Sequence, residues 1–165
     1  SHNDLSWIHC ANIMPDTPAT RVYGQALSCF RQMNEELASC GVNFNQVIRT
    51  WLYLGDITGP EGDLQRYQEL NRARTDYFQG VNFFEGRLPE GFNKETYPAR
   101  TGIGTSDREV LMSCIALDTR RDDIKLVPLE NKRRANTMCG VPPHGVCLKP
   151  WRAKADKLFC FQISK

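Results

Sequence analysis

The sequence predicts an α+β domain in which a mixed β-sheet carries two helices on one face. Two amphipathic helical segments alternate with β-rich segments along the first 118 residues, in the order β, α, β, α, β, β. Elements in this order form a sheet that is covered by helices on one side. With 165 residues, 41% hydrophobic and 24% charged, the chain is long enough for one compact domain with a substantial core.

The first strand is predicted at "SWIHCANIM", residues 6–14, and the first helix at about residues 19–40. Apolar side chains recur in this helix at steps of three and four residues, which indicates one buried stripe, and Gly41 supplies the stop. The stripe consists of Val22, Ala26, Cys29, Phe30, Met33 and Leu37.

The second strand, "QVIRTWLYL" at residues 46–54, is rich in β-branched and aromatic residues and is apolar on both faces. The second helix is predicted at residues 64–80, with Asp63 as its N-cap. Its core side is expected to consist of Leu64, Tyr67, Leu70, Tyr77 and Phe78.

The segment between Gly80 and Pro98 contains glycine, proline and charged residues among aromatics, so we expect a long connection on the surface. Two strands follow at residues 99–105 and 110–118. The intervening "SDRE" reads as a turn that reverses the chain, which predicts that these strands are antiparallel neighbours.

Composition excludes several classes of function. Apolar runs such as residues 110–117 are far shorter than the roughly 20 residues of a membrane span, and the amino terminus lacks a secretory pattern, so we expect a cytoplasmic protein without membrane contact. Seven cysteines without a C-x-x-C pair, and three scattered histidines, favour neither disulfides nor a metal, and no cofactor is expected. Cys29, Cys40 and Cys114 lie in apolar segments and are expected to be buried thiols.

Charge separates the last 47 residues from the rest. Residues 1–118 carry 10 basic and 15 acidic side chains, whereas residues 119–165 carry 11 basic and 4 acidic ones. Basic blocks sometimes bind nucleic acid, but Trp151 is nearly the only aromatic residue available there for base stacking. A solvated face, or a patch against the acidic body, is therefore favoured over a nucleic-acid surface.

Three segments in order resemble the RidA/YjgF family, also called the liver perchloric-acid-soluble protein or endoribonuclease L-PSP family. They are "IRTWLYLGDI", "LNRARTDYF" and "YPARTGIG", and the resemblance covers roughly residues 7–117. It implies a chorismate-mutase-like fold. With "LEN" at residues 129–131, the pattern looks like the amino-terminal half of two-domain chorismatase-like members.

The resemblance divides the chain into a RidA-like domain at residues 1–128 and a basic tail at residues 129–165. Residues 149–164 resemble the opening hairpin of a second RidA-like domain. The tail is either a cut-off second domain or a segment that packs on the body. The second alternative is favoured, because the apolar "LFCFQI" would otherwise be an exposed edge prone to aggregation.

The resemblance also implies a homotrimer with a ligand cleft at each subunit interface. There Arg100 would hold the carboxylate of a small 2-imino or 2-oxo acid, and a guanidinium suits this role because its planar fork matches a carboxylate. Asn71 and Cys10 match positions near that cleft. Gly102 stands where deaminating members often have a cysteine whose backbone donates to the ligand.

Each of these residues also has a structural explanation. Arg100 would instead pair with a carboxylate such as Asp76 or Glu95. Asn71 would be an exposed helix residue, which is the commoner fate of asparagine, and Cys10 would fill the core.

The sequence departs from the deaminating members in its last strand, where Leu111 and Ser113 stand in place of carboxylates. One of those carboxylates positions the water that attacks the imine, and a hydroxyl without a partner is a poor base. Three functions therefore remain open: a 2-imino acid deaminase (a hydrolase), a chorismatase-like protein, and a non-catalytic binding protein, including a ribonuclease or translation inhibitor.

Overall fold

The computed structural model describes residues 4–16, 21–107 and 109–127, together with the backbone of residues 147–148 and 161–163. In chain order its elements are β1 (Leu5–Ile13), α1 (Val22–Ser39), a 3₁₀ turn (Phe44–Gln46), β2 (Val47–Gly55), β3 (Pro60–Glu61), β4 (Leu64–Gln65), α2 (Arg66–Phe78), β5 (Ala99–Thr105), β6 (Val110–Thr119), β7 (Ile124–Leu126), β8 (Cys147–Leu148) and β9 (Phe161–Ile163).

The main sheet has five strands in the order β1-β6-β2-β5-β8. β6 runs antiparallel to both β1 and β2, whereas β5 runs parallel to β2. Parallel neighbours need a long crossover connection, and α2 lies in the segment that joins β2 to β5. The mixed sheet with its two helices confirms the predicted fold class.

The predicted pairing of β5 with β6 is wrong, because β2 lies between these two strands. A turn signal predicts that the chain reverses but not which strand it then pairs with. β6 is largely buried along its length and lies between β1 and β2, whereas β5 is less buried and lies between β2 and β8. The turn signal therefore does not replace the contacts that determine strand order.

The helix α1 has the predicted buried stripe, since all six of its predicted core residues are inaccessible to solvent. It begins at Val22, with Arg21 as its N-cap. Gly41 follows the C-cap with a φ of 75°, a conformation that glycine adopts without strain, and so ends the helix as predicted. Phe30 stacks on Tyr77 of α2 with ring centroids 5.3 Å apart, which packs the two helices together.

The two sides of β2 differ in burial as the alternation predicted. One side is fully buried and is called the helix face; it consists of Ile48, Thr50, Leu52 and Leu54. The other side, called the open face, carries the half-buried Arg49, Trp51 and Tyr53.

The predicted start of α2 is wrong. The helix begins at Arg66, and its N-cap is Gln65 in a reciprocal capping box with Gln68, not Asp63. Leu64 lies outside the helix in β4, which pairs with β3, and it is 39% exposed rather than on the core side. The short β3–β4 hairpin occupies the residues before Arg66, so the helix begins later than predicted. Apolar spacing typical of a helix does not reveal such a short hairpin. In the described part of the chain, neither helix has the length and apolar character needed to cross a bilayer.

Glu61 connects this hairpin to three other elements. Its Oε1 accepts a hydrogen bond of 2.9 Å from the backbone N–H of Val22, at the start of α1. Its Oε2 accepts one of 2.8 Å from Arg66 at the start of α2, and the Arg66 Nε donates to the carbonyl of Gly55 at the end of β2. One partly buried ion pair thus connects both helix starts to the sheet.

The connection between α2 and β5 was predicted to lie on the surface, but part of it is buried. Phe83 and Phe84 are buried, and the Phe83 ring lies 4.9 Å from that of Phe78 and 6.1 Å from that of Tyr97. Glycine and proline content predicts irregular backbone, but it does not predict exposure. This aromatic cluster anchors the connection next to β5.

Two segments of the basic tail have described backbone. β8 runs parallel to β5, opposite Arg100 and Thr101, and β9 runs antiparallel to β7. The basic cluster at residues 131–136 and most of the tail lie outside the described residues. The division into a domain and a tail therefore stays a prediction.

Four cysteines lie in the described ranges, and all four are free thiols. Cys29 and Cys114 are buried, as predicted, whereas Cys40 is exposed because it is the C-cap of α1 and lies beyond the buried stripe. Burial raises the pKa of Cys29 and of Cys114 to about 12.

These differences predict the order of thiol alkylation. Since the thiolate is the reactive form, at pH 8 we expect iodoacetamide to label Cys40 roughly 100-fold faster than Cys29 or Cys114. Peptide mapping by mass spectrometry measures the three rates, and the same experiment in urea should make them equal. Labelling of Cys29 at the rate of Cys40 in the native protein would contradict the buried stripe.

Candidate functional site

The candidate site lies between β5 and α2. In the parallel register of β2 and β5, Arg100 is opposite Thr50 and Gly102 is opposite Leu52. Arg100 and Gly102 therefore lie on the helix face of the sheet, two residues apart along one strand. This is the side on which α2 packs.

Arg100 and Asn71 form a buried pair across this interface. Arg100 is 2% exposed and Asn71 is 3% exposed. The Nη1 of Arg100 donates a hydrogen bond to the Oδ1 of Asn71. The structure thus brings two of the predicted site residues together, and Asn71 is not the exposed helix residue of the alternative explanation.

Two donors of this pair have no hydrogen-bond partner. They are the Nε of Arg100 and the Nδ2 of Asn71, and both atoms are buried. Most buried polar groups in proteins are paired, and an unpaired donor costs about 1–3 kcal/mol, or more when it is charged. Two such donors in one contact indicate a site that favours an additional acceptor.

The predicted carboxylate partners of Arg100 are engaged elsewhere. Asp76 accepts a hydrogen bond of 2.8 Å from the Tyr23 hydroxyl. Glu95 interacts with Tyr97, whose pKa is raised to about 12 by desolvation and by the hydrogen bond to that carboxylate. Within the described part of the chain, the recorded hydrogen bond of Arg100 goes to a neutral amide, so its positive charge is not balanced by a carboxylate.

Gly102 makes the second contact between β5 and α2. A Cβ atom built at this glycine would lie 2.8 Å from Cε2 of Tyr67, far inside normal contact distance. Tyr67 was predicted on the core side of α2 but was not assigned to the site. Tyr67 is four residues from Asn71 and so lies on the same face of α2, and Gly102 is two residues from Arg100 and so lies on the same face of β5. These two spacings could have indicated that Tyr67 lies next to Gly102.

Cys10 lies away from this pair in the single chain. It is in β1, directly opposite Cys114 of β6, and β6 and β2 separate it from β5. Strands are about 4.8 Å apart, so about 14 Å separates its strand from that of Arg100. Cys10 is half-buried and burial raises its pKa, which agrees with the core-filling alternative.

Leu111 and Ser113 also lie apart from Arg100. They pair with Tyr53 and Trp51, which places both on the open face. Arg100 is on the helix face, so the sheet itself separates these positions from the guanidinium within one chain. A carboxylate at either position would not reach the same bound molecule from the same chain.

The open face carries a second arginine. Arg49 donates a hydrogen bond of 3.0 Å to the hydroxyl of Thr101, and its guanidinium lies 4.8 Å from the ring centroid of Trp51. Its Nε is buried without a hydrogen-bond partner, and burial lowers its pKa. Trp7, on the same face, is 51% exposed.

A cavity of about 340 Å³ lies elsewhere, between the 3₁₀ turn, the end of β6 and the α2–β5 connection. Its lining includes Asn45, Phe84, Arg87 and Thr119, but none of the four predicted site residues. Across the described ranges, no group of three or more His, Cys, Asp or Glu side chains is arranged to hold a metal ion.

Comparison with known proteins identifies what the chain resembles. The family model described as chorismatase FkbO/Hyg5-like, N-terminal, matches residues 1–116. No curated protein gives a match.

Solved structures with the same fold include three members of the RidA/YjgF group. TdcF from E. coli, with bound serine, is 16% identical, with a TM-score of 0.52 over 70% of this chain and 82% of that chain. The YjgF gene product from E. coli is 17% identical, with a TM-score of 0.52 over 70% and 81%. Yeast Mmf1 is 16% identical, with a TM-score of 0.50 over 72% and 83%. The resemblance found in the three sequence segments is thereby confirmed at the level of the fold.

Proposed function

The chain belongs to the chorismatase FkbO/Hyg5-like N-terminal family, and from this membership and its RidA/YjgF fold we propose that it binds a small carboxylic acid through Arg100 and Asn71. The observation that carries the proposal is the pair of buried donors without a partner, Arg100 Nε and Asn71 Nδ2. An anion supplies acceptors for both donors and balances the guanidinium charge.

The geometry of the guanidinium favours a carboxylate over other anions. Nη1 is used by Asn71, which leaves the edge formed by Nε and Nη2. The two N–H groups of that edge point in parallel and match the two oxygens of a carboxylate. The Nδ2 of Asn71, which is also buried without a partner, supplies a further donor.

A related fold supports a small acid. The E. coli TdcF structure was solved with bound serine, which contains a carboxylate. Pyruvate and 2-oxobutanoate have a comparable size and also resemble 2-imino acids. We therefore take a small 2-oxo or 2-imino acid as the ligand class.

We place the ligand cleft at a subunit interface of a homotrimer. Arg100 is almost fully buried within one chain, so a cleft between chains offers an approach that its own chain does not. The open face, with the exposed Trp7 and the incompletely bonded Arg49, has the character of a surface that packs against another protein, which supports an oligomer; this face is on the opposite side of the sheet from Arg100. Light scattering should then give a mass of three times 18.8 kDa.

Two catalytic functions are tested against simple binding. Hydrolysis of a 2-imino acid requires a positioned water, and Leu111 and Ser113 provide no carboxylate for it. The second candidate is a chorismatase-like role, which the description of the matching family model supports. Chorismate is a cyclic carboxylate, so it could also be held by Arg100. We propose binding as the function and treat both reactions as outcomes of the experiment.

The experiment compares pyruvate with its methyl ester by isothermal titration calorimetry. We expect pyruvate to bind and the ester, which lacks the charge and carries an added methyl group on the carboxyl oxygen, to bind at least ten-fold more weakly. Equal affinities would refute recognition of a carboxylate. In parallel, disappearance of 2-iminopropanoate or chorismate faster with the protein than with the Arg100→Ala variant would identify the corresponding enzyme.

A further inference from the structure

Two contacts between β5 and α2 lie side by side. Arg100 and Gly102 are two residues apart on the strand, about 6.7 Å, and Asn71 and Tyr67 are four residues apart on the helix, about 6 Å. Because these distances match, the contact of Arg100 with Asn71 is next to that of Gly102 with Tyr67. The phenol ring is therefore the neighbour of the proposed carboxylate site.

The absence of a side chain at position 102 allows this arrangement. A Cβ there would meet the Cε2, hydroxyl and Cζ atoms of Tyr67 at 2.8, 3.1 and 3.2 Å. The φ of Gly102 is outside the left-handed region, so its backbone does not itself require glycine. The close approach of the aromatic ring is thus what requires glycine at this position.

Burial differs between the two contacts. Arg100 and Asn71 are buried, whereas Tyr67 and Gly102 are half-buried. Tyr67 and Gly102 are thus the more exposed part of the β5–α2 contact next to the guanidinium. A ligand whose carboxylate reaches Arg100 would leave its substituent beside the ring of Tyr67.

We propose that Tyr67 is a specificity-determining residue that limits the length of the substituent on the bound acid. The ring occupies space next to the carboxylate site, so a two- or three-carbon substituent fits and a longer one collides with the ring. This inference rests on the proposed function of the Arg100 site. It adds the residue that selects among acids, which the carboxylate contact alone does not do.

Straight-chain 2-oxo acids test the limit, with pyruvate and 2-oxohexanoate as the probes. Without a steric limit, each added methylene should strengthen binding, because it buries apolar surface. We expect the opposite in the unmodified protein, with 2-oxohexanoate at least ten-fold weaker than pyruvate by calorimetry. Discrimination by one methylene in a tight pocket reaches 10-fold or more.

Removal of the ring should abolish this preference. In Tyr67→Ala we expect the ratio of the two dissociation constants to fall at least ten-fold, whereas Tyr67→Phe, which keeps the ring, should retain the original ratio. If Tyr67→Ala does not fold, Tyr67→Leu tests the same point with a smaller expected fall. Circular dichroism confirms the fold of each variant.

The outcomes separate this inference from the function on which it rests. If pyruvate binding depends on Arg100 but the ratio is the same in Tyr67→Ala or Tyr67→Leu, Tyr67 does not set the limit and the carboxylate site stands. If 2-oxohexanoate binds the unmodified protein more tightly than pyruvate, the limit does not exist. If pyruvate binds Arg100→Ala as well as the unmodified protein, the proposed function fails and the inference fails with it.

Discussion

Arg100→Ala is expected to lower the affinity for pyruvate by roughly 30-fold or more. Removing one member of a buried, hydrogen-bonded charge pair costs about 2–5 kcal/mol. The guanidinium supplies both the charge and the two parallel donors, so the remaining Asn71 amide cannot replace it. Calorimetry with the purified variant measures the loss.

Two variants make this result specific. Arg100→Lys keeps the positive charge but not the planar fork, so we expect an affinity between those of the unmodified protein and Arg100→Ala. Arg31 is an exposed arginine of α1, and Arg31→Ala removes the same charge away from the site. An equal loss in Arg31→Ala would mean that net charge, rather than Arg100, attracts the ligand.

Asn71→Asp is expected to stabilise the protein and to weaken ligand binding at the same time. The new carboxylate would accept from Arg100 and balance its buried charge, which should raise the free energy of unfolding by about 1–3 kcal/mol. The same negative charge would repel the ligand carboxylate and the substitution would remove the Nδ2 donor, so the affinity for pyruvate should fall at least ten-fold. Urea denaturation and calorimetry measure the two effects.

Opposite changes in stability and affinity distinguish a binding site from a structural contact. If Arg100 and Asn71 only hold α2 on β5, Asn71→Asp would change stability alone. Asn71→Leu removes the acceptor of Arg100 and should destabilise the protein by about 3 kcal/mol. Asn34→Asp introduces the same charge on an exposed position of α1 and should change neither quantity.

Individual helices and strands could be predicted from the periodic spacing of apolar residues wherever the element has one buried side. The six apolar residues of α1 and the alternation along β2 gave their helix and strand directly. The order of the strands could not be predicted in this way, because "SDRE" shows only a reversal, and the placement of β6 between β1 and β2 depends on contacts between segments that are distant in sequence. The start of α2 was missed because two-residue strands carry almost no periodic signal.

The candidate site could be predicted where it depends on a local motif. Arg100 and Asn71 were found from the segments that resemble a known family, and they are in contact. Tyr67 was not predicted as a site residue, because its place next to Gly102 follows only when the spacing along α2 is compared with the spacing along β5. The separation of Cys10 and Ser113 from Arg100 depends on strand order and on the face of the sheet, which no short segment contains.

The position of β6 has a consequence for the biosynthesis of the protein. β1 and β2 lie on either side of β6, with Leu5 opposite Thr119 and Val47 opposite Ala116, so they meet no common partner until β6 has left the ribosome. Contacts between residues so distant in sequence form slowly, because closing a long loop costs entropy. Until then the nascent chain presents two unpaired strand edges, and it is in this interval, before residue 119 emerges, that chaperones would have most to protect.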